Sequence, residues 1–110
     1  MKHTVLFASF CAMWLASSAN ASPPLEGAIA ELWVNDSTNS NVVFISVGTS
    51  FTSSCGATSA YLVIDLTVAG MREAYAMALA ADMAGRSVRM AGAGVCHGQN
   101  EKLKYIRVAE

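Results

Sequence analysis

Two cysteines, Cys55 and Cys96, fix more of this chain's fold than any other feature. A bond between them would close a loop of about 40 residues and contribute about 4 kcal/mol in the chain-entropy model. That matters for a short domain, whose core is marginal by itself. The case for pairing comes from the N-terminus. Lys2 and His3 precede an apolar run at residues 5–15 (VLFASFCAMWL), and Ala19-Asn20-Ala21 fits the small-x-small cleavage rule. The run is far short of the roughly 20 apolar residues that a membrane span needs. Residues 1–21 therefore read as a secretory signal peptide, and residues 22–110 as one domain. Cys11 lies inside the apolar run behind Phe10, which is no lipoprotein site. Export with an even number of remaining cysteines implies a disulfide, Cys55–Cys96, in a secreted or periplasmic protein. Two cysteines and one histidine are too few for a closed zinc site.

The chain behind the leader alternates strand and turn signals. Residues 27–34 (GAIAELWV) and 42–47 (VVFISV) read as strands joined by a polar turn, NDSTNSN, in a hairpin. Residues 48–59 (GTSFTSSCGATS) read as a loop. Residues 61–68 (YLVIDLTV) form a third strand, apolar on both faces apart from Asp65 and hence central. A helix is expected over residues 71–84, with Gly85 as its C′ glycine. A fourth strand starts at residues 87–90 (SVRM) and continues to Cys96. A turn, CHGQNE, leads to a fifth strand at residues 103–108 (LKYIRV). The expected fold class is mainly β with one helix, order β-β-β-α-β-β, as a five-stranded OB-type barrel with one disulfide. A partly open sheet with the helix on one side has the same elements.

The helix poses a question of its own. Tyr75, Leu79 and Met83 make an i, i+4, i+8 stripe suited to plugging a barrel end. Ala74, Ala78 and Ala81 lie on a different side. Alanine has high helix propensity and little area to bury, so these residues need no partner. Small residues also let another backbone approach, which makes the three alanines candidates for an oligomer interface.

This layout resembles the B subunits of bacterial toxins in which one catalytic chain sits on a ring of five receptor-binding chains, the enterotoxin, pertussis and subtilase-cytotoxin kinds. The likeness is carried by residues 61–66, 75–85 and 87–90 and by the Cys55/Cys96 pair. Its most telling stretch is AADMAGRSVRM at residues 80–90, a helix end running directly into a strand. The resemblance implies an OB-folded, exported, receptor-binding subunit that forms a pentamer with its helices about the centre. Element order is an analogy of fold, and function must rest on a site.

The composition excludes some classes. A formal net charge of −1 gives no electrostatic case for nucleic acid, and no polybasic patch argues for anionic lipid. His97 has Glu101 nearby in sequence but no nucleophile motif, and reads as a surface turn residue. Glu31, Asp36 and Asp65 have no spacing that demands a carboxylate pair. The AGAGV glycines, Gly92 and Gly94, lack the dinucleotide pattern; they let a strand bend or admit a close neighbour. Asn35-Asp36-Ser37 matches a glycosylation pattern, which carries weight only in a eukaryotic host. No cofactor or metal is implied, and the chain is read as non-catalytic. Trp33 alternates with Ile29 and Glu31, opposite Ala30, Leu32 and Val34. It is either core or an outward ring for a sugar or a subunit contact. Ser50, Thr52, Ser53 and Ser54 offer hydroxyls for saccharide binding, or form a solvated loop held by Cys55. Lys102, Lys104 and Arg107 read as a solvated strand edge. The expected function is non-catalytic binding, of glycans and as a ring-forming subunit. The alternative is a monomeric or dimeric periplasmic module holding a protein partner, such as an inhibitor.

Overall fold

Alternating apolar positions dictate the strands, and their register decides which face each side chain takes. The computed structural model describes residues 23–34, 41–56 and 58–109. The leader, most of the NDSTNSN turn and its glycosylation pattern lie outside these residues. Six strands form one curled mixed sheet: β1 (Leu25–Ala28), β2 (Glu31–Val34), β3 (Val42–Thr52), β4 (Thr58–Asp65), β5 (Ser87–His97) and β6 (Asn100–Val108). The single helix described, α1 (Met71–Met83), lies between β4 and β5. The sheet order is β1-β5-β6-β4-β3-β2, with every pairing antiparallel except β4 with β6.

The expected first strand is therefore two. Residues 25–28 pair with β5 and residues 31–34 with β3, so the chain changes partner at Ile29 and Ala30. The Ala30 N–H donates to the Ser46 carbonyl at 2.8 Å, which anchors the bend to β3. Both ends of the sheet thus come from one stretch of chain. That break accounts for six strands where five are expected.

Other boundaries moved for local reasons. β3 runs on to Thr52 through a register shift after Ser46; Gly48, at φ +85°, sits in that irregular stretch. The expected Ser/Thr loop is thus largely strand. β4 stops at Asp65, whose carboxylate accepts the Thr67 N–H at 3.0 Å, an Asx turn that competes with further pairing. β5 and β6 are joined by Gly98 and Gln99, with Gly98 at φ +62°. β6 is internal to the sheet, between β5 and β4, so Lys102, Lys104 and Arg107 do not form a sheet edge.

The core is one cluster of Val43, Ile45, Leu62, Ile64, Val88 and Met90 with Leu103, Ile106 and the buried side of α1. β4 is central as expected: Leu62, Val63 and Ile64 are all buried, so both of its faces are covered. The helix faces are the reverse of the expectation. Ala74, Ala78 and Ala81 are its buried stripe, with Ala78 fully enclosed, while Leu79 and Met83 are exposed and Tyr75 is half-buried. Leu103, Ile106, Val88 and Met90 fill the space beneath α1 from the sheet side, and only small residues fit above them. Gly85 ends α1 as expected: it is at φ +68°, its N–H bonds the Asp82 carbonyl, and the Arg86 N–H bonds that of Ala81.

Cys55 and Cys96 are bonded, with Cα atoms 5.6 Å apart across a separation of 41 residues. The bond ties the β3–β4 turn to the far end of β5. Ser53 supports it: its hydroxyl accepts the Cys55 N–H at 3.2 Å and reaches the Gln99 carbonyl at 3.5 Å.

Candidate functional site

Period-two alternation turns Leu32, Val43, Ile45, Leu62 and Ile64 inward, so Glu31, Trp33, Phe44 and Tyr61 share the outer face of β2, β3 and β4. Register then sets their neighbours. Trp33 is opposite Phe44, Glu31 opposite Ser46, and Ser46 in turn opposite Tyr61. The Trp33 and Phe44 rings stack with centroids 4.4 Å apart and planes 8° from parallel. Tyr61 stands nearly perpendicular to both, at 6.2 Å from Trp33 and 6.1 Å from Phe44. Edge-to-face and stacked pairs of this kind fix ring orientation beyond what area burial alone does. Trp33 gives one face to Phe44 and still leaves 42% of its surface to solvent.

The Tyr61 hydroxyl donates to Oε2 of Glu31 at 2.7 Å. That bond raises the tyrosine pKa above its ordinary value, chiefly because the phenolic proton is held by the carboxylate, with added contributions from desolvation and from the Glu31 charge. Glu31, Leu32, Trp33 and Tyr61 line an open hollow of about 540 Å³. Its floor is an aromatic ring and its rim a carboxylate. One row further along the same face, Lys102 Nζ lies 3.0 Å from Oδ2 of Asp65. The Asp65 carboxyl is held at about 2, first by the Thr67 hydroxyl, which donates to it at 2.6 Å, and then by Lys102.

The arrangement leaves the Trp33 ring able to take a flat apolar face and the Glu31 carboxylate able to accept hydrogen bonds. The same carboxylate disfavours phosphate, sulfate or another carboxylate in the hollow.

The sequence-derived candidates divide. Trp33 is on the outer face and lines the hollow. Ser50 lies six positions beyond Phe44 on β3, roughly 20 Å along the strand, so the hydroxyl group of candidates is not brought to the hollow. Thr52 Oγ1 is 2.9 Å from Thr58 Oγ1. Ser53 is buried beside the disulfide, and Ser54 is in the turn next to it. His97 is exposed at the end of β5, opposite Asn100. The sequence does not single out Phe44 or Tyr61 for the site, and Glu31 reads there only as an acid. Phe44 carries no register signal: closing the hairpin symmetrically about the NDSTNSN turn sets position 33 opposite 43, and the observed register is one residue longer.

Among the described residues no group of three or more His, Cys, Asp or Glu is placed to hold a metal, and no helix is long and apolar enough to cross a membrane. No protein-family model, curated protein or solved structure matches this chain.

Proposed function

We propose that this chain is an exported, non-catalytic, glycan-binding protein built on an OB-type barrel and working as a homo-oligomer. The observation that carries the reading is the Trp33 ring, backed by Phe44 and bordered by a Glu31 carboxylate that Tyr61 orients. The C–H face of a pyranose stacks on such a ring while its hydroxyls donate to a fixed carboxylate.

The sheet order supports the barrel. With β1 and β2 counted as one bent strand, five strands remain, and the first of them flanks both ends of the order. The aromatic hollow then lies on the first three, including the second and third, the face on which OB barrels take oligosaccharides and oligonucleotides. Glu31 on its rim favours the uncharged ligand of those two. The disulfide supports export. Assembly would multiply a weak single-site affinity by effective concentration, and the toxin-like pentamer is one form it takes.

Titration calorimetry with lactose, diacetylchitobiose, sialyllactose and a short single-stranded DNA tests this. A neutral sugar binds, Trp33→Ala abolishes the binding with the far-ultraviolet spectrum unchanged, and the DNA does not bind. A chain that binds none of the sugars, or that binds them equally well without Trp33, overturns the reading and favours a protein ligand in the hollow.

A further inference from the structure

Strand pairing lays one row of three charges across β1, β5 and β6. Glu26 is opposite Arg89, and Arg89 is opposite Arg107. Val88 and Met90, on either side of Arg89, are buried, so Arg89 and its two partners take the outer face. Like charges directly opposite each other repel, so the two arginines do not help the sheet. Glu26 relieves only one of them. Its Oε1 lies 3.7 Å from Nη1 of Arg89, and both side chains are about half exposed. An ion pair that long and that wet is worth little. Among the described residues Arg107 has no ion pair. Its guanidinium lies over the Tyr105 ring, 5.7 Å from the centroid, a contact that orients the side chain without neutralising it.

The surface beside the two arginines is hollow. Glu26, Arg89, Arg107, Val108 and Ala109 bound about 270 Å³. Val108 also walls a second hollow, whose rim carries Arg86, so a third positive charge adds to the local field. None of this follows from a basic chain. The formal net charge is −1, and positions 86, 89 and 107 form no basic run. The fold gathers them, and the register sets the last two side by side.

We propose that Arg89 and Arg107 bind a phosphate monoester. Such a group carries a charge of about −1.5 to −2 at neutral pH. It would offset the surplus that Glu26 leaves in the row. Each guanidinium presents a planar fork of N–H donors that matches two phosphate oxygens, and adjacent forks can share one phosphate. A single carboxylate brings one charge and too few oxygens to satisfy both forks. The hollow at Glu31 and Trp33 has the opposite character, with a carboxylate on its rim, so the two sites divide ligands by charge. This inference is independent of sugar binding and of assembly.

A heteronuclear NMR titration of the full chain with inorganic phosphate at low ionic strength tests it. The backbone amides of Arg89 and Arg107 shift saturably. Arg107→Ala and Arg89→Ala each weaken binding about tenfold or more, with the far-ultraviolet spectrum unchanged because both side chains are exposed. Arg107→Lys keeps the charge but loses the fork, and weakens binding about threefold. Arg72→Ala removes the same charge from α1 and leaves binding unchanged. Glu26→Gln frees Arg89 and tightens binding. Glu110 follows Ala109 in sequence, and Glu110→Gln binds at least as tightly as the wild type. Competition by glycerol 3-phosphate assigns the site to a soluble ester. Flotation with phosphatidylcholine vesicles only when they contain phosphatidic acid assigns it to a lipid headgroup. A chain that binds neither ester overturns the inference. So does one in which Arg72→Ala weakens phosphate binding as much as Arg107→Ala, or in which Arg107→Lys binds as the wild type does, since either result leaves only a diffuse attraction to charge.

Discussion

The carboxylate of Glu101 occupies the space that a side chain on Gly92 would need. A Cβ built on Gly92 falls inside contact distance of Oε2, Cδ and Oε1 of Glu101. Glu101 is fully buried, and its Oε2 accepts the Gly94 N–H at 2.7 Å where the β5–β6 register shifts. A buried carboxylate is tolerated where hydrogen bonds satisfy it. Gly92 makes the room and the irregular strand presents the donor.

Gly92→Ala forces that carboxylate out of its seat. The expected cost is about 3 kcal/mol, in the range of overpacked core sites. Thermal denaturation of the variant measures it. In a Glu101→Ala background the same substitution should cost less than about 1 kcal/mol, because the obstructing group is gone. Equal costs in the two backgrounds would show that the pair is not coupled.

Reducing the Cys55–Cys96 bond releases a loop spanning 41 residues of separation. The chain-entropy model gives a loss of about 4 kcal/mol. Urea denaturation with and without reductant reads it as a lower midpoint, and a Cys55→Ser/Cys96→Ser chain should match the reduced protein. A midpoint that reductant leaves in place would mean that the bond adds nothing to the fold.

Much of this was legible in the residues and some was not, for physical reasons. The central place of β4 followed from apolar residues at consecutive positions, which only a strand covered on both faces accepts. Gly85 marked the helix end because a left-handed residue closes it most cheaply there. The break at Ile29 was invisible, since it comes from a change of partner strand and not from a local breaker. The side that α1 buries does not follow from its own residues, because size alone favours Tyr75, Leu79 and Met83 inward. Depth at that site is set by Leu103 and Met90 rising from the sheet, far away in sequence. The Trp33–Phe44 stack was out of reach of a symmetric hairpin register, which sets Trp33 opposite Val43; the observed pairing is one residue longer. Tyr61 joined it only through the pairing of β3 with β4.

Asp65 makes stability depend on acid. Its carboxyl is lowered to about 2, chiefly by the Thr67 hydroxyl and then by Lys102. In the unfolded chain it titrates near 3.9. The folded value is the lower one, so the ionised form stabilises the fold above about pH 4. That contribution is lost as the pH falls through about 2. Unfolding free energies measured between pH 5 and pH 2 should fall more steeply for the wild type than for Asp65→Asn. Parallel curves would remove Asp65 as the source.

Tyr61 reports on the hollow without any ligand. Its pKa is raised above 10.0, first by the hydrogen bond to Glu31 and then by desolvation and the Glu31 charge. Glu31→Gln removes the charge and weakens the acceptor, so the tyrosinate should form at lower pH in that variant. Difference absorbance through the alkaline titration, with Tyr61→Phe as the reference that isolates this residue, follows the change. A sugar whose hydroxyls compete for Glu31 should move the midpoint in the same direction. One that stacks on Trp33 alone should leave it in place, so the titration separates the two halves of the site.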